Sequence, residues 1–199
     1  MQYTKRDWRN RNCIKTANGL LWLTIPVRTK GRFSQRICDV EIADPDWNAT
    51  HLSSIQHHYA RAARFLEYRE WIHDLYEAAS QRRLSDVNFH FIRAICSLLG
   101  VQTQLVWSME YVVGNPGRTE RLAALCEAAG ADIYVSGPSA RAYLDEDVFR
   151  EAQIEVEYMD YSGYRDYEQL FPPFEHHVSI VDLILNVGPD TGAFAQETA

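Results

Sequence analysis

Apolar residues first gather at Leu20-Leu21-Trp22-Leu23-Thr24-Ile25-Pro26-Val27, a run that predicts a buried strand. Asn18-Gly19 supplies the turn before it, and Pro26 places its end at an edge or bend. Arg36 to Ile42 alternates polar and apolar residues, which predicts a half-buried strand. Gly31 to Ser34 would close a hairpin between the two, and Ala43 to Trp47, with Pro45, reads as a loop. From Ala49 to Ala79 the spacing turns helical. Leu52, Ile55 and Tyr59 fall on one face with Thr50 as a cap, and Phe65, Leu66, Tyr68, Trp71, Ile72, Leu75 and Tyr76 continue the pattern after a break. A further helix runs from Ser85 to Leu99, with Phe91, Ile92, Ile95, Leu98 and Leu99 as its stripe and Gly100 as its stop.

Val101 to Trp107 reads as a strand and Gly114 to Gly117 as a loop. A helix capped by Thr119 follows, carrying Leu122, Leu125, Cys126 and Ala129 on one face up to Gly130. Asp132 to Ser136 is a short strand, Gly137-Pro138-Ser139 turns into a helical stretch through Leu144, and a short helix closes at Phe149. Ile154 to Tyr158 is another alternating strand. Ser179 caps a last helix, Ile180 to Asn186, ended by Gly188. Strand, helix, strand, helix, strand over residues 101–158 is a crossover pattern. It predicts one α/β domain over residues 1–190, a three-layer, Rossmann-like arrangement with a largely parallel or mixed sheet. Residues 191–199 are predicted to be a disordered tail.

The 199 residues suffice for a substantial core. No apolar run approaches the roughly 20 residues of a membrane span, and no secretory h-region opens the chain, so no membrane partner is predicted. Cys13, Cys38, Cys96 and Cys126 are far apart with no CxxC pair, which argues against a zinc ribbon and points to reduced thiols in a cytoplasm. Charge changes the picture more. Residues 1–36 carry nine basic residues against Asp7 alone, a net +8, while the remainder carries −15. Overall acidity argues against nucleic acid as a partner. The local excess suits an anionic small molecule.

At the centre of the basic stretch lies Trp8-Arg9-Asn10-Arg11-Asn12, rich in fork-shaped donors for phosphate or carboxylate. In an extended segment Arg9 and Arg11 would face one way, with Asn10 and Asn12 facing the other. Ser136-Gly137-Pro138-Ser139 joins a strand to a helix, the place where open α/β sheets bind ligands. Gly137 would let a ligand approach the backbone, and Arg141 follows in the first turn; a turn that merely needs glycine and proline is an equal reading. His51 is a candidate general base because its ordinary pKa lies near neutrality. His57-His58 and His176-His177 lack metal spacing and no carboxylate cluster accompanies them, so neither a metal nor a cofactor is predicted. Cys126 reads as a core residue; cations beside Cys13 in the basic segment would lower its thiol pKa, but a structural role is the preferred reading for Cys13 too. Tyr158, Tyr161, Tyr164 and Tyr167 recur every three residues in an acidic stretch, suited either to stacking on sugars or to pinning a loop by its rings. There is no GxSxG elbow, Walker loop or GxGxxG fingerprint.

Together these residues resemble the WbqC-like family of bacterial proteins. The similarity runs through Gln2 to Arg6, Trp8 to Asn12, Trp22 to Val27, then Trp47, His51, Ile55 and Tyr59. It continues through Arg118 to Leu122, Gly130, Tyr134 to Gly137, Tyr143-Leu144, Phe149, Tyr167, Gln169, Phe171, Ser179-Ile180, Asp182-Leu183, Asn186 and Gly188. Members of that family usually begin earlier, with a Gln-Pro-Tyr-Leu-Pro strand and a Gly-Tyr-Phe helix. Met1 stands where a valine is expected, so the chain is expected to be a fragment, and a missing strand would favour pairing into a homo-oligomer. The resemblance implies modification of an activated sugar in surface-polysaccharide or O-antigen biosynthesis, as acyl or aminoacyl transfer to the amine of a nucleotide-linked amino sugar. Arg9, Asn10, Arg11 and Asn12 would hold the diphosphate, with Gly137 and Arg141 as further binding residues. His51 would take the amine proton, and Ser136 with Gly137 would donate to an oxyanion or phosphate. A non-catalytic accessory binding protein and a Rossmann-like nucleotidyltransferase remain as alternatives.

Overall fold

Thr16 and Gly19 set the first element. The Thr16 hydroxyl donates to the Gly19 carbonyl at 2.8 Å and accepts from the Asn18 amide at 3.1 Å. Gly19 has φ +101°, a conformation that only glycine adopts without strain. This turn joins β1 (Arg11–Thr16) to β2 (Gly19–Thr24) as an antiparallel pair, with Arg11 opposite Thr24 and Cys13 opposite Trp22. The structure is a computed structural model that describes residues 2–4, 8–32, 34–114 and 117–189; the tail expected over 191–199 lies outside the described residues.

The chain divides into two compact units, Met1–Gln102 with Arg165–Ala199, and Thr103–Tyr164. Where one domain is expected over residues 1–190, each unit has its own core. In the first, α1 (Trp47–Tyr59) buries Trp47, His51, Leu52, Ile55 and Tyr59, a stripe at three- and four-residue spacing. Against it pack Ile14, Leu23 and Ile25 of the hairpin region, Ile72 and Tyr76 of α2 (Phe65–Glu77), and Leu84 and Val87 of α3 (Leu84–Leu98). The last helix, α6 (Ile180–Asn186), is buried from Val181 onward, and the Ser179 hydroxyl accepts from the Val181 amide as expected of a cap.

β1 is buried on both faces from Cys13 to Thr16 although it carries a lysine and a threonine. Thr16 is satisfied within its own turn, whereas the partners of Lys15 lie far away in sequence. The Lys15 ammonium donates to the Gln169 carbonyl oxygen at 2.7 Å and to the Pro173 carbonyl. The Lys15 amide donates to the Tyr59 hydroxyl, and that hydroxyl donates to Asp182 at 2.6 Å. Asp182 also accepts from Tyr167 and Gln169. Burial first, and then the Asp182 charge, raise the Tyr59 and Tyr167 hydroxyls well above their ordinary range, so both stay protonated donors.

The second unit is built on β3 (Ile133–Ser136) and β4 (Glu155–Tyr158), a parallel pair joined through α5 (Glu146–Glu151). Phe149 is fully buried, stacked on Tyr134 at 4.8 Å, with Ala123 of α4 (Arg118–Ala129) and Ile154 beside it. Gly130 ends α4 at φ +67°, as its position after the last apolar residue predicts. Cys126 packs against this core, and burial raises its thiol.

The α/β class stands, with six helices and two small sheets among the described residues. Several expected elements differ. Val101–Trp107 forms no strand, so the crossover pairs β3 with β4 alone. Arg36 to Ile42 is not a strand but a 3₁₀ turn, Ile37–Asp39, flanked by isolated bridges at Arg36, Glu41 and Ile42. Arg28, Arg32 and Arg82 converge on Glu41 there and hold the segment down. β1 itself has little apolar signature, because two of its four buried residues are Lys15 and Thr16. No described helix is long and apolar enough to cross a membrane.

Candidate functional site

The basic segment folds in two parts. Trp8–Asn10 makes a 3₁₀ turn, and β1 begins at Arg11. The alternation expected of one extended strand is therefore lost, and both arginines and both asparagines line one cleft of about 430 Å³. Its interior is apolar, walled by residues such as Leu23, Ile25, Trp47, Phe91 and Ile92. Among the described residues no acidic side chain lines it.

The polar edge is held from behind. The Asn88 amide donates to the Arg9 carbonyl at 3.0 Å, and the Ile25 amide donates to the Asn10 carbonyl at 2.8 Å. Asn10 is 6% exposed, and its Nδ2 donates to the Ile25 carbonyl at 2.9 Å. Because a carbonyl only accepts, that bond fixes the amide orientation and leaves Oδ1 as a buried acceptor without a partner among the described residues. The next residue holds the complementary orphan: Arg11 Nε is a buried donor without a partner among the described residues. A buried polar atom left alone costs about 1–3 kcal/mol, and a ligand offering both a donor and an acceptor would remove both costs. The guanidinium groups of Arg9 and Arg11 stack on Trp8 and Trp22, at 4.6 and 4.5 Å. Asn12 is turned to a local task, accepting from the Cys13 amide.

His51 lines the same cleft from α1. Its Nε2 lies 3.1 Å from the Thr24 carbonyl, which requires the proton on Nε2 and leaves the lone pair on Nδ1. Burial lowers its pKa, and the Thr24 bond opposes the shift without reversing it. The imidazole is thus a neutral base at pH 7. The folded value lies below the unfolded one, so the unfolded chain binds more protons between the two. Stability from this group is full above about pH 6.5 and falls as pH drops through that window. Urea unfolding between about pH 5 and 7 should show a steeper loss for the wild type than for His51→Gln; equal slopes would contradict the buried neutral assignment.

Ser136, Gly137 and Arg141 belong to the second unit. Ser136 ends β3, and its carbonyl accepts from the Met159 amide at 2.8 Å. Gly137 has φ −72°, and a Cβ there would meet only the Tyr161 hydroxyl, at 3.6 Å. Neither the backbone nor the space demands glycine, so Gly137→Ala should change stability by less than about 0.5 kcal/mol, read from the unfolding midpoint. Arg141 stacks on Tyr158 at 4.5 Å, and Tyr158 donates to Glu146. The expected site residues thus fall into two groups, five in the first unit and three in the second. Cys13 corrects another expectation: burial, with the Glu175 charge, raises its thiol, which donates to the His177 carbonyl. The reading from sequence missed Asn88 and Lys15, whose polar side chains sit among ordinary helix and strand residues. It named Trp22 only as a strand residue and not as the platform for Arg11.

The sequence pattern of the WbqC-like protein family matches residues 1–193. An uncharacterized protein of Mycobacterium tuberculosis, Rv1507c, is 50% identical over 190 residues, covering 96% of this chain and 82% of that protein. No solved structure matches. On the family match and on this relative, the chain belongs to the WbqC-like protein family.

Proposed function

We propose that this protein is a cytoplasmic transferase that modifies a nucleotide-activated amino sugar, by acyl or aminoacyl transfer to its amine, for a surface polysaccharide such as an O-antigen. The observation that carries the reading is the pair of orphaned groups, Asn10 Oδ1 and Arg11 Nε, in residues that line an apolar cleft with Arg9 and His51. Arg9 and Arg11 bind the diphosphate in fork geometry. The apolar interior receives the acyl group of an activated ester or thioester donor. As the amine nitrogen bonds to the acyl carbon, the bond from that carbon to its leaving group breaks and the leaving group departs with the electron pair. The amine proton passes to His51, the neutral base of the cleft. Within the second unit, and not among the residues that line the cleft, Ser136 and Gly137 at the end of β3 keep the proposed role of donors to an oxyanion or phosphate, with Arg141 as a binding residue.

The four cysteines are unpaired, which suits a reducing compartment. The parallel β3–α5–β4 crossover supports the finer expectation of a three-layer, Rossmann-like sheet, since it is the unit from which such sheets are built. The test is turnover. Protein incubated with UDP-glucosamine and acyl thioesters should yield an N-acylated sugar nucleotide by mass spectrometry, and His51→Ala should lower the rate about 100-fold or more. Tight sugar-nucleotide binding with no product from any donor would favour an accessory binding role instead. Release of pyrophosphate from a nucleoside triphosphate supplied with a sugar 1-phosphate would point to nucleotidyl transfer.

A further inference from the structure

Beside the larger cleft lies a smaller hollow of about 250 Å³. The two share Leu23, Trp47 and His51, so His51 belongs to the walls of both. Their remaining linings are opposite in kind. Among the described residues the larger has Arg9 and Arg11 and no carboxylate, whereas the smaller has Asp44 and no lysine or arginine.

The groups in the smaller hollow mostly accept hydrogen bonds. The Thr50 hydroxyl spends its proton on the Asp46 carbonyl and the Ser54 hydroxyl on the Thr50 carbonyl, so both present lone pairs. They lie four residues apart on α1 and hence on one face. Asp44 accepts a single backbone amide, from Asp46, and forms no ion pair among the described residues, so further lone pairs remain. Trp22 adds a half-exposed ring. An aromatic ring with several acceptors around it fits a ring rich in donors, whose C–H face stacks on the indole and whose hydroxyl and amine groups reach the acceptors.

We infer that the smaller hollow is a second subsite, which takes a hydroxylated six-membered ring bearing an amine, stacked on Trp22 with the amine beside Asp44. The inference rests on the proposed function for the identity of the reaction and states where the acceptor amine sits. Arg11 links the two places: it lines the larger cleft and stacks on Trp22 of the smaller. A diphosphate on Arg11 would have its attached sugar over Trp22, and His51 would stand between amine and acyl carbon.

The test uses free glucosamine, glucose and inorganic pyrophosphate, followed by saturation-transfer NMR and titration. Wild type should bind glucosamine more tightly than glucose. Asp44→Asn should weaken glucosamine about two- to fivefold and leave glucose and pyrophosphate unchanged. Trp22→Ala should weaken both sugars about three- to tenfold, with Trp22→Phe retaining most of the affinity and so excluding a folding failure. Absent glucosamine binding, or binding that neither Asp44→Asn nor Trp22→Ala weakens, overturns the subsite. Pyrophosphate keeps the two claims apart. If it binds normally while glucosamine does not, only the second subsite falls. If glucosamine is held at Trp22 and Asp44 but pyrophosphate is not held by Arg9 and Arg11, only the diphosphate reading falls.

Discussion

Asp182→Ala is expected to lower stability by about 3–5 kcal/mol, the largest single effect in the molecule. Asp182 is 1% exposed and accepts three side-chain donors: the Tyr59 hydroxyl at 2.6 Å, the Tyr167 hydroxyl at 2.8 Å and the Gln169 amide at 2.9 Å. Removing the carboxylate takes the acceptor from the fully buried Tyr59 hydroxyl and from the half-buried Tyr167 and Gln169, and a buried donor left alone costs about 1–3 kcal/mol. The same network carries Lys15 through Gln169 and through Tyr59, so the damage reaches the centre of β1. Tyr59→Phe removes one donor to Asp182 and the acceptor for the Lys15 amide, and should cost about 1–3 kcal/mol. Urea midpoints at constant slope measure both. A loss below about 1 kcal/mol for Asp182→Ala would show that the carboxylate does not organise the network.

Arg9→Gln and Arg11→Gln together are expected to weaken binding of a nucleotide diphosphate by about 100-fold or more. A charge-assisted hydrogen bond contributes about 1.5–3 kcal/mol, roughly 10- to 100-fold each. Lysine should not rescue Arg11, because it loses both the bidentate fork and the stack on Trp22. Binding should weaken with added salt in the wild type and lose most of that dependence in the double variant. The contrast variant is Arg28→Gln, an arginine of the same basic stretch tied to Glu41 and absent from the cleft lining. It should bind like wild type. Equal weakening by Arg28→Gln would mean that net charge, and not the cleft, holds the anion.

The helices were legible wherever apolar residues recur at three and four positions. The stripe on α1, the stop at Gly130 and the cap at Ser179 all appear where local pattern and local chemistry act together. Failures came where partners are distant. β1 reads as polar because Lys15 looks like a surface residue until Gln169 and Pro173 are brought to it. Arg36 to Ile42 alternates like a strand, but three arginines on Glu41 fix it in another form. The basic segment was found from charge alone. Its conformation was not, because the 3₁₀ turn at Trp8–Asn10 is held by Asn88 and Ile25 from other elements. His51 was chosen for its titration range; only the structure shows the Thr24 carbonyl that sets its tautomer. Ser136 and Gly137 were read from a short turn, and the space around Gly137 gives the glycine no special task.

The most direct test of the cleft as the binding site is ¹⁵N NMR of the side chains during titration with UDP-glucosamine. The Arg11 Nε–H and the Asn10 amide should shift first and together, because their orphaned atoms gain partners from the ligand. The Nε–H of Arg36, engaged with Asp39, should stay in place. Saturating binding that leaves Arg11 and Asn10 unmoved, or shifts confined to residues outside the cleft, would contradict the account.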